Sequence, residues 1–178
     1  IDAAMNAGAR EAYLIEEPMA AAIGARLPVT DARGSMIVDI GGGTSEIAVI
    51  SLGGIVSARS LRVAGDEMNE DIVRYCRDEF NLLVGEKTAE DIKIAVGSAF
   101  SLKEGLSMPV RGRDLVSGLL KEVMVTDEQI REGLSRSIRI IINNIKTVIE
   151  ETPPELLSDV MQRGVIIAGG GSMIRNLD

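Results

Sequence analysis

Residues 36–51 read MIVDIGGGTSEIAVIS, and this stretch decides the fold. Its two apolar runs, 36–40 and 46–51, are separated by three glycines and Thr44, a pattern typical of two strands joined by a tight turn. Another glycine turn follows at 52–54 and precedes a third predicted strand over 55–62. Short apolar runs punctuated by glycine indicate an antiparallel meander at this point of the chain.

Before the meander, the sequence predicts one strand and one helix. Residues 12–15 (AYLI) are a short apolar run typical of a buried strand, and Pro18 suits the first turn of a helix. The run 19–25 is small and apolar on every side. We therefore expect this helix to be packed over most of its surface.

After the meander, apolar residues recur at three- and four-residue spacing, which predicts a helix from Asp66. Thr88 is expected to cap the next helix. Two strands are predicted over 107–111 and 122–125, around glycines. An α+β insert is thus expected to leave and rejoin a sheet near Gly65 and residue 126.

The last third of the chain predicts a long helix and a strand. Thr126 and Gln129 have the spacing of a capping box, and the helix that they start ends at Pro153-Pro154. Residues 165–168 (VIIA) predict a buried strand. The sequence GGGS follows at 169–172 and begins another helix, with Ser172 available as its cap.

The composition excludes several classes of chemistry. The chain has 178 residues, a net charge of −8 and no histidine, which excludes Ser-His-Asp and Cys-His catalysis and His-ligated zinc. A single cysteine, Cys76, excludes an internal disulfide or a thiolate zinc cluster. The acidic balance and the scarcity of aromatic residues argue against nucleic acid as a partner. The longest apolar run is only 19–23, so no membrane span or signal peptide is expected.

The triglycine run at 41–43 is either a plain tight turn or a phosphate cradle, since glycine lets a backbone approach an anion closely. It is not a P-loop, because the chain has no Gly-Lys pair, and it is not a dinucleotide fingerprint, because a strand follows it. Asp39 lies inside an apolar strand, where a carboxylate is costly unless it is paired or serves a cation such as Mg²⁺. The alternative is that Asp39 lies at the wet end of its strand.

The triglycine run at 169–171 has the opposite context, because a helix follows it. By itself it is best explained as a glycine-rich helix start. Bare backbone at this point would also let a flat adenine or a ribose lie against it.

Three strings in this order and at this spacing resemble the MreB family of bacterial actin homologues, in the superfamily of actin and heat-shock-chaperone ATPases. They are LIEEPMAAAIG at 14–24, VDIGGGTSE at 38–46 and IAGGGS at 167–172. The helix start at Gly65-Asp66 and the sequence PPEL at 153–156 match as well, so the resemblance covers essentially the whole chain. It implies an α/β, actin-like (ribonuclease H-like) ATPase fold: a mixed sheet flanked by helices, with an inserted small α+β subdomain.

The resemblance also implies a division of the chain. Residues 1–31 would end the first lobe, 32–65 with 127–178 would form the nucleotide-binding core of the second lobe, and 66–126 would be its small subdomain. Members of the family are longer and close two lobes on a nucleotide. We therefore expect this chain to be a piece, with the first phosphate hairpin and the membrane-inserting segment upstream of it.

The catalytic assignments follow from the resemblance. Glu17 resembles the carboxylate that positions the attacking water, with Glu16 as the less favoured neighbour; both could instead be solvated charges at a helix start. Thr44 resembles the hydroxyl that helps orient the same water. Asp39 resembles the acid that holds Mg²⁺ through water. A site of this kind needs no histidine.

The expected ligand is ATP or ADP with Mg²⁺. The implied contacts are two glycine runs and a charged pair: Gly41, Gly42, Gly43, Gly169, Gly170, Gly171, Glu90 and Lys93. The first run, with Thr44, would be the second phosphate loop and the second run the adenosine motif. Glu90 and Lys93 resemble a ribose-contacting pair, although an exposed i,i+3 ion pair has the same spacing.

Two residues depart from the family pattern. Ser45 stands where many relatives have a second threonine, a change that keeps the hydroxyl. Ala95 stands where an acidic residue beside the nucleotide base is expected, which weakens the assignments on the adenosine side.

The function implied is that of an ATP-dependent cytoskeletal protein. Members of the family polymerise into filaments of their own copies at the inner face of the cytoplasmic membrane and guide cell-wall synthesis, which maintains rod shape. A heat-shock-type chaperone ATPase and a small-molecule kinase of the same superfamily are the alternatives. ATP hydrolysis is expected of the full-length protein and little of this piece, because a site shared by two lobes loses donors and closure when one is missing.

Overall fold

The centre of the fold is a four-stranded mixed sheet with the strand order β3-β2-β1-β7, in a computed structural model that describes residues 1–178. Strands β1 (Ser35–Ile40), β2 (Ser45–Ser51) and β3 (Gly54–Leu61) are antiparallel neighbours, which confirms the predicted meander. Strand β7 (Val165–Ala168) joins the other side of β1 in parallel. A parallel neighbour requires a long crossover connection, and the rest of the chain supplies it.

Side chains alternate between the two faces of β1 and β2, and both faces are covered. One face packs into the main core beneath the later helices through Met36, Val38, Ile40, Ile47 and Val49. The other face packs against the helix that opens at Glu17 through Ile37, Ala48 and Ile50. By this alternation Asp39 belongs to the same face as Ile37.

Six α-helices and one short 3₁₀ helix surround the strands. They are α1 Asp2–Asn6, α2 Glu17–Gly24, α3 Gly65–Phe80, α4 Glu86–Val96, α5 Asp127–Glu151, α6 Pro154–Arg163 and the 3₁₀ helix Gly170–Met173. None of the α-helices combines the length and the apolar character that crossing a bilayer requires.

A second, three-stranded antiparallel sheet lies between α3 and α5 in the chain, with the order β4-β5-β6. Strands β5 (Ser107–Asp114) and β6 (Leu120–Thr126) were predicted and are confirmed, each extended by a few residues. Strand β4 (Leu82–Leu83) was not predicted, because two residues are too few to show a period. The small sheet packs into the main core through Leu82, Val110 and Val125.

Helix α5 begins with the predicted capping box. The amide of Gln129 donates to Thr126 Oγ1 at 3.4 Å, and the amide of Thr126 donates to Gln129 Oε1 at 3.0 Å. This reciprocal pair satisfies two main-chain N–H groups that would have no acceptor at an uncapped helix start. The helix buries Ile130, Leu134 and Ile141 in the main core.

The strand predicted over 12–15 is wrong. These residues form no regular element, and Tyr13 and Leu14 are 84% and 83% exposed. No strand of the structure lies beside them, so neither their backbone nor their side chains are covered. Helix α2 also differs from the expectation of all-round packing, because only Pro18, Met19 and Ala22 are buried.

Two smaller predictions near helix and strand ends are also wrong. Thr88 does not cap α4; the helix begins two residues earlier, after Gly85, where the amide of Ala89 donates to the Gly85 carbonyl. Strand β7 is not fully buried, since Val165 and Ile166 are each 37% exposed. It is an edge strand, and one side of it has no neighbour.

Candidate functional site

A cleft of about 620 Å³ lies where the glycine turn after β1, the start of α3, the end of α4 and the 3₁₀ helix meet. Its lining combines bare backbone, two acidic and two basic side chains, and three apolar ones. The lining residues are Gly41, Gly42, Gly65, Asp66, Glu90, Lys93, Ile94, Gly170, Gly171, Met173, Ile174 and Arg175. Six of the nine predicted nucleotide contacts are therefore in one place, while Gly43, Thr44 and Gly169 lie outside the lining.

The glycine turn is fixed to the first turn of α3 by main-chain hydrogen bonds. The amide of Gly65 donates to the carbonyl of Gly41 at 3.1 Å, and that of Asp66 donates to the carbonyl of Gly42 at 2.8 Å. The turn itself is closed by the amide of Gly41, which donates to the carbonyl of Thr44 at 2.9 Å. The carbonyl groups of Gly41, Gly42 and Thr44 are thus occupied by the protein.

The amides of Gly42 and Gly43, in contrast, donate no hydrogen bond within the chain, and both residues are exposed. Free N–H groups on bare glycine backbone are suitable donors to an anion. The side chain of Asp66 lies over the same turn, because a Cβ on Gly42 would come within 3.5 Å of Asp66 Oδ1. A phosphate with a bound cation fits this combination of free amides and a nearby carboxylate.

The second triglycine run packs tightly against the end of β1. Gly169 has φ of +83°, and a Cβ there would overlap the carbonyl oxygen of Ile40 and the carboxylate of Asp39. A Cβ on Gly171 would overlap the Ile40 side chain, whereas Gly170 faces open space. Two of the three glycines are therefore required by close packing, which the helix-start interpretation did not include.

Ser172 does not act as the predicted helix cap. Its hydroxyl donates to the carbonyl of Gly169 at 2.7 Å instead of accepting from a helix amide. This bond holds the glycine run in a closed turn at the side of the cleft.

Glu90 and Lys93 form an ion pair of 2.7 Å at the cleft wall. The lysine side chain is only 8% exposed, and its Nζ also donates to the carbonyl of Gly65 at 2.9 Å. The hydrogen bond from Lys93 lowers the pKa of Glu90, so the carboxylate is ionised at neutral pH. A buried lysine with two partners differs from an exposed surface pair, and it joins α4 to the start of α3.

The predicted catalytic and metal-binding residues also lie outside the cleft lining. Glu17 is exposed at the start of α2 and lines a separate depression of about 440 Å³ with Glu16 and Glu46. Asp39 is half-buried at the end of β1, paired across the strands with Glu46 and Ala168. Thr44 is half-buried in the glycine turn. No group of three or more acidic or thiol side chains could share a metal ion, so an ion here would depend on single carboxylates and other oxygen ligands.

The two departures from the family pattern have simple structural settings. Ser45 is fully buried, and its hydroxyl donates to the carbonyl of Val63 at 2.7 Å, which ties β2 to the segment before α3. Ala95 is exposed and does not line the cleft.

Several cleft residues were not predicted. Arg175 lines the cleft and donates through Nη1 to the carbonyl of Ile94 at 2.8 Å, at the end of α4. Ile94 and Met173 are 64% and 83% exposed and form an apolar part of the wall. The available signal was adjacency in the sequence, since Met173 to Arg175 follow the second glycine run directly and Ile94 follows Lys93. Asn69, also not predicted, lies behind Glu90 and donates to it at 2.8 Å.

The cleft and its rim offer donors to an anion, an acceptor for a hydroxyl group and an apolar surface. Free amides lie at Gly42 and Gly43, a carboxylate that could accept from a hydroxyl lies at Glu90, and apolar side chains lie at Ile94 and Met173. A nucleotide has one group for each of these features: phosphate, ribose hydroxyl and base.

Comparisons with known proteins support this interpretation. The family described as MreB/Mbl protein matches residues 1–178. The cell shape-determining protein MreB of Escherichia coli (strain K12) is 49% identical over 177 residues, which are 99% of this chain and 51% of that protein. The crystal structure of MreB 5 of Spiroplasma citri bound to AMPPNP superposes with a TM-score of 0.96 at 42% identity, covering 99% of this chain and 53% of that one.

A more distant neighbour is a MamK double helical filament, with a TM-score of 0.69 and 25% identity over 91% of this chain and 48% of that one. The chain spans about half the length of the curated relatives it matches. The predicted α/β fold, a mixed sheet flanked by helices, is confirmed by these neighbours. Because the family matches the whole chain and the solved relatives share its actin-like architecture, this chain belongs to the MreB/Mbl family.

Proposed function

We propose that this chain supplies the second-lobe half of an ATP-binding site in a filament-forming, actin-like protein that determines cell shape. The observation that carries the proposal is the single cleft in which the glycine turn, the Glu90–Lys93 pair and the second glycine run meet. A solved relative that shares 42% of the residues is bound to AMPPNP, which supports a nucleotide as the ligand.

Within the cleft, each contact has a chemical reason. The free amides of Gly42 and Gly43 would donate to phosphate oxygens, and the ionised Glu90 would accept from a ribose hydroxyl. The bare backbone at 170–171 would lie along the adenosine, with Ile94 and Met173 beside its apolar ring. These roles are the ones that the family resemblance assigns, extended by the two apolar side chains.

Hydrolysis would use residues on the α2 side of the glycine turn. We propose that Glu17 and Thr44 position the attacking water and that Asp39 holds Mg²⁺ through water. Magnesium would neutralise phosphate charge during the transfer. Asp39 supports this role by its position at the carboxyl end of β1, next to the glycine turn and half-open to solvent.

For the protein encoded by the complete gene, we propose ATP-dependent assembly of its own copies into filaments at the inner, cytoplasmic face of the cell membrane. There it would guide cell-wall synthesis and so maintain rod shape. The names of the relatives, cell shape-determining proteins and a double helical filament, support this proposal. They do not favour a chaperone ATPase or a small-molecule kinase.

A sedimentation experiment tests the proposal. The protein from the complete gene is centrifuged at high speed with Mg²⁺ and ATP, with AMPPNP, or without nucleotide, and the pelleted fraction is measured. We expect a pellet that depends on nucleotide. A protein that binds neither nucleotide in calorimetry and never pellets would contradict the proposal.

The 178-residue chain expressed alone provides a second measurement. We propose a division into 1–31, 32–65 with 127–178, and 66–126, in which a separate lobe closes the nucleotide site. The isolated chain should therefore bind ATP weakly and turn it over slowly. Turnover equal to that of the complete protein would show that no second lobe is needed.

A further inference from the structure

Asn69 lies on α3 behind the cleft wall and contacts the side chain of Glu90 on α4. Its Nδ2 donates to Glu90 Oε2 at 2.8 Å, the same oxygen that accepts from Lys93 Nζ at 2.7 Å. The other carboxylate oxygen, Oε1, accepts no hydrogen bond within the chain. Both donors bind Oε2, so the Oε1 atom of this cleft-lining carboxylate remains available to accept a hydrogen bond from a ligand.

The two donors constrain Glu90 in different ways. Lys93 is on the same helix as Glu90, one turn further on, and its Nζ also donates to the carbonyl of Gly65, so it ties the carboxylate to the first residue of α3. Asn69 is on the neighbouring helix and therefore fixes the carboxylate relative to α3, whose first residues hold the glycine turn. Asn69 is only 4% exposed and has little freedom to follow Glu90 to another position.

Asparagine at position 69 also lowers the stability of the fold. Its Oδ1 is the only buried side-chain oxygen or nitrogen in the structure that has no hydrogen-bond partner. A buried polar atom without a partner lowers the stability of the fold, and an apolar side chain of the same shape would avoid that loss. The hydrogen bond from Asn69 to Glu90 offsets this loss of stability.

We infer that Asn69 is a positioning residue that fixes Glu90 with its free oxygen toward a ribose hydroxyl, and thereby determines the preference for ribonucleotides over deoxyribonucleotides. This inference rests on the proposed nucleotide site and names which part of the ligand the chain distinguishes. The ionised state of Glu90 strengthens such a bond, because hydrogen bonds to charged groups are the stronger ones.

The test measures dissociation constants of ATP, 2′-deoxy-ATP and 3′-deoxy-ATP for the protein from the complete gene, in the presence of Mg²⁺. We expect the wild-type protein to prefer ATP over at least one deoxy analogue. Asn69→Leu should reduce that preference about tenfold, while the affinity for the deoxy analogue stays unchanged. Glu90→Ala should remove the preference. Arg77 is exposed on α3, two turns after Asn69, and Arg77→Ala is the control that should keep the wild-type preference.

Thermal unfolding separates positioning from a structural role. Because leucine removes the unpartnered oxygen, the melting temperature of Asn69→Leu should equal or exceed that of the wild type. If the leucine variant fails to fold, the same measurements are made on Asn69→Ala, whose smaller side chain adds no volume.

Three outcomes would overturn the inference. They are an unchanged preference in the Asn69 variants, an equal loss of affinity for all three nucleotides, and a wild-type protein that binds the three nucleotides equally. In each of these the proposed nucleotide site still stands. Only a wild-type protein that binds none of the nucleotides overturns the proposed function together with the inference.

Discussion

The main-chain amide of Asp66 donates a hydrogen bond to the carbonyl of Gly42 at 2.8 Å, so the glycine turn caps the start of α3. Helix α3 has no side-chain cap; its N-cap residue is Ala64. The first amides of the helix are therefore satisfied by the turn that also presents free amides to the cleft. The start of α3 and the candidate phosphate contact are parts of one hydrogen-bonded unit.

Replacing Gly169 by alanine should destabilise the fold strongly. The residue has φ of +83°, and an added Cβ would meet the backbone carbonyl of Ile40, which cannot rotate away. We expect the free energy of unfolding to fall by about 2–4 kcal/mol. Urea unfolding followed by circular dichroism measures it. Gly170→Ala is the matched control, since its Cβ would face open space; equal losses in both variants would contradict the explanation.

Removing the capping box of α5 should have a smaller, local effect. Thr126→Ala deletes the acceptor of the Gln129 amide and should lower the free energy of unfolding by about 1 kcal/mol. Thr147→Ala, inside the same helix, removes a hydroxyl that donates only to the Asn143 carbonyl of the preceding turn. It should be neutral or slightly stabilising because alanine is the better helix former. Urea midpoints at constant slope distinguish the two variants, and equal midpoints would show that the cap contributes nothing.

Glu17→Ala should slow hydrolysis without preventing nucleotide binding. Because Glu17 lies outside the cleft lining, the dissociation constant of ATP should stay within about twofold, while phosphate release falls about 100-fold. Glu16→Ala, on the neighbouring exposed residue, is the matched control and should retain most of the activity. Normal turnover in Glu17→Ala would disprove the catalytic assignment.

Cys76 should make the fold sensitive to alkaline pH. Burial raises the pKa of its thiol from 9.0 to about 11. Above pH 9 the unfolded chain loses this proton first, so the free energy of unfolding should decrease toward pH 11, by at most about 1.4 kcal/mol for each pH unit. Below pH 9 the thiol is protonated in both states and contributes no pH dependence.

Urea unfolding at several pH values between 8 and 11 checks the Cys76 prediction. Cys76→Ala should be less stable overall but should show a flatter dependence on pH. Tyr75→Phe serves as the comparison, because burial and the hydrogen bond with Glu132 raise the Tyr75 pKa from 10.0 to about 12. Its own contribution to the slope therefore begins only above pH 10, and the interval from pH 9 to 10 reports on the thiol. A slope in Cys76→Ala equal to that of the wild type would contradict the assignment to the thiol.

The strands that pair with neighbours in the sequence were predictable. In β1, β2 and β3 the apolar runs and the glycine turns are both visible, and hairpin pairing follows from adjacency. The pairing of β7 with β1 carries no such signal, because periodicity does not indicate which distant strand becomes the neighbour. The run 12–15 was wrongly assigned for a related reason: an apolar run does not show whether a partner strand is present.

The candidate site was predictable at its glycines and its charged pair, and only in part beyond them. Triglycine runs are visible in the sequence, and the family resemblance assigned Glu90 and Lys93 to the same nucleotide site. The contacts of Lys93 with Gly65 and of Asp66 with Gly42 use main-chain atoms, which leave no signature in residue type. Asn69 escaped notice because its importance comes from which oxygen of Glu90 it contacts.

The parallel pairing of β1 with β7 has a consequence for folding during translation. Met36 is matched with Val165, about 130 residues later, which at ordinary rates of translation corresponds to about 6–25 s. The antiparallel meander can form as soon as it emerges, since its contacts are local. During that interval the edge of β1 that later pairs with β7 has unpaired main-chain N–H and C=O groups. Limited proteolysis of ribosome-bound chains stalled before residue 165 should therefore cleave more readily at β1 than in the finished protein.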